Sequence, residues 1–565
     1  MTLRSGVTLA IVVIVGALVA TIDVLIGPAA APPAPAVAEA APRAGEAVCA
    51  FGEAFVDAEV AVIATNVGED ADADVDVRAL DDGRNSSVSR ARLPSGELFS
   101  LATPAPVTAR WRDAPVAVHR EWILAAGDRP AGVVAGGCPT VLSAQWTVPG
   151  MRTSGGGDAQ LRVVNPFRAD ATVAVRFLTP DGPEEPLATQ NLSVPAYDSI
   201  EIAVNEILPE RDDLAAVVEV EAGRVVVEGV QFMRAAIGGI DGASLLAAVP
   251  DGAETWHVPW VAVDDDVSSW LWIVNPSEQD AVLEASVHTP DGGAVVSELS
   301  HEVVEPGGMV RISLDGVLPA GESVAAVTIR SDGTPIVIGA GTEIDGENVT
   351  QTAFHLHAAV SELDHQWVVS LEHRDGREEQ LHLVNPGNEH AVVDVAVVTP
   401  TGTRTPGDLQ EIHVAPGSRT AVDLTSALSN VADGAPVSAI VTSAGGPVIA
   451  ARVGADVEGP RRFTVVPGIP AQSWARIGAM PIDGMLPGLT QRIGTLGGIR
   501  PSTAGALDAT TPTSEPRVSR GPAFSGTPRP TPEPSVPPLP GGAAATDDAD
   551  ADDTDATGGE PAAAG

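Results

Sequence analysis

Apolar and polar residues alternate over short runs along much of this chain. Val173, Val175 and Phe177 sit between Thr172 and Arg176; Leu283, Ala285 and Val287 between Glu284 and Ser286; Val393, Val395 and Val397 around Asp394. A period of two places every second side chain on one face, so these runs predict strands with one buried face. A second set follows at Ile200/Ile202/Val204, Val310/Ile312/Leu314 and Thr420/Val422/Leu424. Two further strands then flank Ala222-Gly223, Asp332-Gly333 and Gly445-Gly446, which read as hairpin turns. No long helical pattern interrupts the series.

The runs recur in register. "LRVVNP", "LWIVNP" and "LHLVNP" place Asn165-Pro166, Asn275-Pro276 and Asn385-Pro386 at intervals of 110 residues. Trp146, Trp256 and Trp367 precede them. Thr179-Pro180, Thr289-Pro290 and Thr399-Pro400 follow, then Asp181-Gly182, Asp291-Gly292 and Thr401-Gly402, then Pro195, Pro306-Gly307 and Pro416-Gly417. A diverged copy comes first: Asn66 stands seventeen residues before Gly83, as in the other units, with Val67 in place of Pro and Cys49 near the Trp position. Its alternation (Val75, Val77, Ala79) is displaced by one residue, which a bulge or a local insertion would explain. Pro cannot donate to a sheet ladder and holds its predecessor extended, while Asn bonds the backbone two residues ahead. Asn-Pro therefore reads as a corner where a strand ends, a structural marker repeated because the fold repeats.

Each unit holds about seven short strands in about 110 residues, the size and spacing of an immunoglobulin-like β-sandwich. The expected chain is all-β: a tandem array of about four such domains at 45–141, 142–252, 253–362 and 363–476. Laid in series they would form a rod on the order of 150 Å. Trp474 either opens a decayed fifth copy or closes the fourth unit.

The ends differ in composition. Residues 1–26 carry Arg4 and an apolar run from Val7 to Ile22, the pattern of a signal anchor or a cleaved signal peptide; the length of the run favours an anchor with Arg4 inside the cell. An Ala/Pro spacer covers 27–44, and 477–565 is low-complexity sequence read as disordered. Everything after the apolar run is expected to be extracytoplasmic. Two cysteines, Cys49 and Cys138, suit an oxidising compartment and predict one disulfide. All 32 basic residues are Arg, and against 75 acids they leave a net charge of −43. Such a surface repels phosphates, so nucleic acid is excluded as a partner.

The Trp, "VNP", "TPDG" and "PG" landmarks over about residues 45–475 resemble an exported, membrane-anchored actinobacterial family of unknown function. The resemblance implies location and fold and carries no activity or catalytic residue.

Candidate chemistry is sparse. There is no G-x-S-x-G, H-E-x-x-H or P-loop, and His257, His301, His382 and His390 are scattered along predicted strands and turns. No catalytic residue, cofactor or metal ligand is assigned, and the chain is read as no enzyme. Acid-rich stretches at 69–83, 263–269 and 547–556 raise calcium, but their alternation along a strand suits solvated faces. Trp260, Trp270 and Trp272 have no Trp counterparts in the other units and flank an acidic loop with Asp265. Exposed rings beside a carboxylate would suit glycan stacking; the simpler reading is a cross-strand aromatic contact. The functional expectation is a non-catalytic structural or interaction rod in the cell envelope, with an envelope protein as partner. The alternative is a cell-wall polysaccharide-binding protein using the third sandwich.

Overall fold

A computed structural model describes residues 44–471, apart from 53–57, 82, 104, 125–131, 235–239, 298, 347–351 and 458. The N-terminal anchor or signal, most of the spacer, Trp474 and the C-terminal tail lie outside the described residues. Among the described residues no helix is long and apolar enough to cross a membrane.

The chain is all-β, with eight antiparallel sheets and two helices of four residues, Val204–Ile207 and Thr425–Leu428, among the described residues. The sheets pair into four sandwiches. In the first, one sheet runs Ala44–Cys49, Val107–Arg112, Ala73–Asp81, Arg84–Leu93; the other runs Leu98–Ala102, Ala58–Asn66, Val116–Leu124, Gly132–Gly137. The other three repeat the second of these orders. Gly157–Asn165, Val267–Val274 and Arg377–Asn385 each lie between two strands of their own unit, and Gly242–Ala247, Ala353–Ala358 and Gly459–Pro467 form the edges. Inward side chains from both sheets meet in an apolar core. In the fourth sandwich Trp367, Leu381, Val393, Val441 and Ile449 pack together, all fully buried.

The corners explain the repeat. Asn165 donates through Nδ2 to the carbonyls of Ala169 (2.8 Å) and Val194 (3.1 Å), and its Oδ1 accepts from the Phe167 amide (3.0 Å). Asn275 makes the same contacts with Gln279, Val304 and Ser277, and Asn385 with Glu389, Val414 and Gly387. Asn66 does so too, although Val67 replaces the proline, so the amide side chain rather than the Pro ring holds the corner. Asn66 reaches five residues ahead, to Ala71, where the others reach four. One extra residue in that loop displaces the alternation of Val75, Val77 and Ala79. In the next turn Gly182, Gly292 and Gly402 take φ of 118°, 126° and 122°, a region that needs glycine, and the hydroxyls of Thr179, Thr289 and Thr399 close the turn onto their carbonyls. Tyr197 occupies the place of Gly307 and Gly417 and adopts their positive φ, at 55°.

Cys49 and Cys138 are bonded, 89 residues apart. The bond ties the first strand of the first sandwich to the end of its last, a closure that contributes about 2–5 kcal/mol.

The rod is not what forms. The edge strands Gly132–Gly137, Gly242–Ala247, Ala353–Ala358 and Gly459–Pro467 each touch the next, and the last touches the first. Val67 and Ala117 of the first sandwich pack on Val368 and Ile469 of the fourth, and Ile63 and Leu98 pack on Val398. Thr65 Oγ1 lies 3.0 Å from Ser438 Oγ, and the Thr403 hydroxyl donates to the Gly96 carbonyl. Four sandwiches in series become a ring because the fourth packs on the first as each packs on the next.

Candidate functional site: the polar centre and the joints

The inner strands carry equivalent ladder positions. Trp122 pairs with Val134, Gln231 with Ser244, Thr342 with His355 and Gly454 with Thr464. Val134 is apolar where Ser244, His355 and Thr464 are polar, and the polar members lie where the sandwiches meet. Ser244 Oγ accepts from the Leu356 amide (2.8 Å) and lies 3.4 Å from His355 Nδ1; His355 Nε2 donates to the Val465 carbonyl (2.9 Å). That single strand pair thus links the second, third and fourth sandwiches. Burial pulls His355 down to about 4 and the neighbouring His357, ring-stacked at 6.0 Å, to about 3. Ser244 and His355 resemble a nucleophile and base by type, yet they are 0 % and 3 % exposed, which leaves a substrate no path to them.

The densest charge lies between the fourth and first sandwiches. Arg377 Nε contacts Glu372 at 2.8 Å and Glu379 at 2.9 Å, and Arg452 Nε contacts Glu379 at 3.4 Å. Arg377 and Arg452 also donate to Thr464 Oγ1, at 2.8 and 3.3 Å. All five of these residues are buried. The first sandwich presents His119 and Glu121 to this cluster. Burial, with some help from the Arg452 charge, pulls His119 down to about 3. Burial pushes Glu121 up to about 7; Arg452 opposes that rise and Glu372 adds to it.

The other joints use different chemistry. Between the first and second sandwiches, Arg120 meets Glu228 through two contacts of 2.6 Å, with Phe51 and Trp122 against the guanidinium. Between the second and third, Trp272 Nε1 donates to Asp213 (2.7 Å), and its ring lies so close to Gly150 that a Cβ there would fall 2.3 Å from it. Between the third and fourth, His288 Nδ1 donates to the Gly417 carbonyl (2.9 Å). The carbonyl only accepts, so the His288 proton sits on Nδ1 and Nε2 accepts from the Thr328 hydroxyl (2.8 Å). Thr328 in turn accepts from His257 Nδ1 (2.8 Å).

The glycan platform expected in the third sandwich is not formed. Trp260, Trp270 and Trp272 are 7 %, 3 % and 1 % exposed. Trp260 packs on Phe463 of the fourth sandwich, with centroids 4.9 Å apart, and Trp270 packs on Trp272 and Phe354. Asp265 is exposed on the hairpin and joins none of them. The departure of Trp260 and Trp272 from the repeat signalled a joint, because a contact made by one unit alone needs residues the others lack. The acidic stretches do not converge either. Asp72, Asp74 and Asp76 pair with Arg92, Arg112 and Arg78, and among the described residues no group of three or more His, Cys, Asp or Glu is placed to hold a metal ion. The stretch at 547–556 lies outside the described residues.

Among the described residues, concavities open to solvent include one of about 680 Å³ on the outer sheet of the first sandwich and one of about 270 Å³ beside Pro250, Pro276 and Pro335.

These joined sandwiches define the class: a closed all-β repeat protein whose buried chemistry sits in its joints. The chain belongs to the family of unknown function DUF5719, whose model matches residues 108–369 and 360–480. The second match begins at the boundary between the third and fourth sandwiches. No curated protein matches the chain.

Proposed function

We propose that this chain is a non-catalytic interaction scaffold of the cell envelope, exported and held at the membrane by its N-terminal apolar run. Its four units are immunoglobulin-like sandwiches, and its partner is an envelope protein. The observation that carries the reading is the closed ring. The buried ionisable clusters around Arg120, Arg377 and Arg452 are sealed at joints, where they fix one sandwich against the next. A buried pair such as Arg120–Glu228 contributes little net stability against an apolar substitute but favours one geometry, which suits a rigid scaffold. The Cys49–Cys138 bond suits an oxidising compartment, and the resemblance of the landmarks to an exported actinobacterial family agrees. Wall polysaccharide binding through Trp260, Trp270 and Trp272 has no exposed ring to rest on.

The test is topological. Expressed with a C-terminal tag in an actinobacterial host, the chain should sediment with membranes and be digested by protease added to intact protoplasts. A cytosolic chain protected from protease would sink the reading.

A further inference from the structure

The first sandwich differs from the other three at one edge. In the second, third and fourth, the outermost strand of the sheet that holds the Trp strand is broken in two: Gly182–Glu184 with Leu192–Val194, Gly292–Val296 with Val303–Val304, Gly402–Arg404 with Ile412–Val414. Short, interrupted edges are how natural sheets avoid pairing with a foreign strand. The first sandwich has one strand of ten residues there, Arg84–Leu93. Among the described residues it ends its sheet and pairs on one side only, with Ala73–Asp81. In an antiparallel ladder roughly half of a strand's N–H and C=O groups point away from its partner, so the outer side offers a row of backbone donors and acceptors.

Charge gives the edge a preference. The edge strand carries Arg84, Arg90 and Arg92 and no acid, in a chain whose net charge is −43, while behind it Asp72, Asp74, Asp76 and Asp113 pair with arginines of the sheet. Arg90 and Arg92 stand on the edge strand and, with Arg110 and Arg112, line the 680 Å³ concavity that runs back across the sheet. Their side chains are 73 % and 70 % exposed, and their ion pairs with Asp76 and Asp72 lie in solvent, where such pairs are weak and exchange readily. An acidic ligand is repelled by the rest of the molecule and meets the exposed arginines of an acid-free strand here.

We propose that Arg84–Leu93 is a docking strand for an extended acidic segment of a partner polypeptide. The segment adds to the sheet beside it and turns alternate carboxylates toward Arg90 and Arg92. The inference deepens the scaffold reading by naming the partner's chemistry. It is tested on purified protein, so strand binding and cellular location succeed or fail separately.

The experiment uses the full-length chain in a mild nonionic detergent and a fluorescein-labelled ten-residue peptide alternating Glu and Thr. Polarisation should rise to saturation. The Arg90→Glu/Arg92→Glu variant should bind at least about tenfold more weakly, the equivalent of about 1.4 kcal/mol. N-methylation of alternate peptide amides keeps the charge and removes strand pairing, so it should abolish binding without any change in the protein. Absence of saturable binding overturns the proposal. Binding that survives N-methylation, or that polygalacturonate of equal charge matches, also overturns it, because the face would then be a generic polyanion surface.

Discussion

Asn66, Asn165, Asn275 and Asn385 make the same three hydrogen bonds in four sandwiches. The four joints share the contact between edge strands but differ in their side chains: an Arg120–Glu228 pair, a Trp272 ring over Gly150, a His288–Gly417 hydrogen bond, and a Thr65–Ser438 contact beside a charged cluster. A corner repeats because each sandwich must turn its chain alike. A joint has a single partner, so it is free to diverge, and it must diverge if each sandwich is to recognise its own neighbour. The repeat therefore encodes the sandwich, and departures from the repeat encode the ring.

The sharpest way to break the contrast is at a joint. Arg120→Ala leaves the Glu228 carboxylate buried and unpaired, and should lower stability by about 3–5 kcal/mol in a denaturant melt. Arg120→Met with Glu228→Leu should recover part of that loss, since two apolar side chains carry no charge penalty but leave the buried Ala50 amide, which donates to Glu228, without its acceptor. A double variant no more stable than Arg120→Ala would show that the pair does more than satisfy itself.

A corner should respond next, and alike at each site. Asn165→Ala and Asn385→Ala each strand two carbonyls and an amide in buried surroundings, a loss of about 2–4 kcal/mol. Unequal losses at the two positions would contradict the claim that corners are interchangeable.

The smallest effect is a pH dependence. Burial raises Glu121 from 4.5 to about 7, so between those values the folded chain keeps a proton that the unfolded chain has lost. Its contribution to stability is fully present below pH 4.5 and is lost as the pH rises through about 7. Glu121→Gln removes the titration. The variant should gain melting temperature over the parent on going from pH 4.5 to pH 8, by the equivalent of about 1–3 kcal/mol. A constant difference across that range would mean that Glu121 does not titrate against the cluster.

Much of the sandwich was legible because its signals are local. Alternation at Val173/Val175/Phe177 and the Asn-Pro and Asp-Gly turns depend on nearest neighbours along the chain and across one ladder. The disulfide was legible by count. The ring was not, because a rod and a ring need the same strands and differ only in the turn taken at each joint. Trp260 and Trp272 carried the missing information, but aromatic side chains suit an exposed ligand platform and a buried contact equally well. What separates the two is the neighbour, Phe463 or Asp213, which lies in another sandwich. Likewise the loop insertion after Asn66 showed only as a displaced alternation until its hydrogen bond to Ala71 located it.

Ring closure is the central claim, and one crosslink tests it most directly. Thr65 and Ser438 are fully buried, with side-chain oxygens 3.0 Å apart across the joint of the first and fourth sandwiches. In Thr65→Cys/Ser438→Cys two sulfurs near those positions need only a small shift to bond. The double variant should form this second disulfide within one chain under mild oxidation, seen as a linked peptide pair by mass spectrometry and as faster migration on a non-reducing gel. A chain that stays open, or that links only into dimers, would contradict the ring and restore the rod.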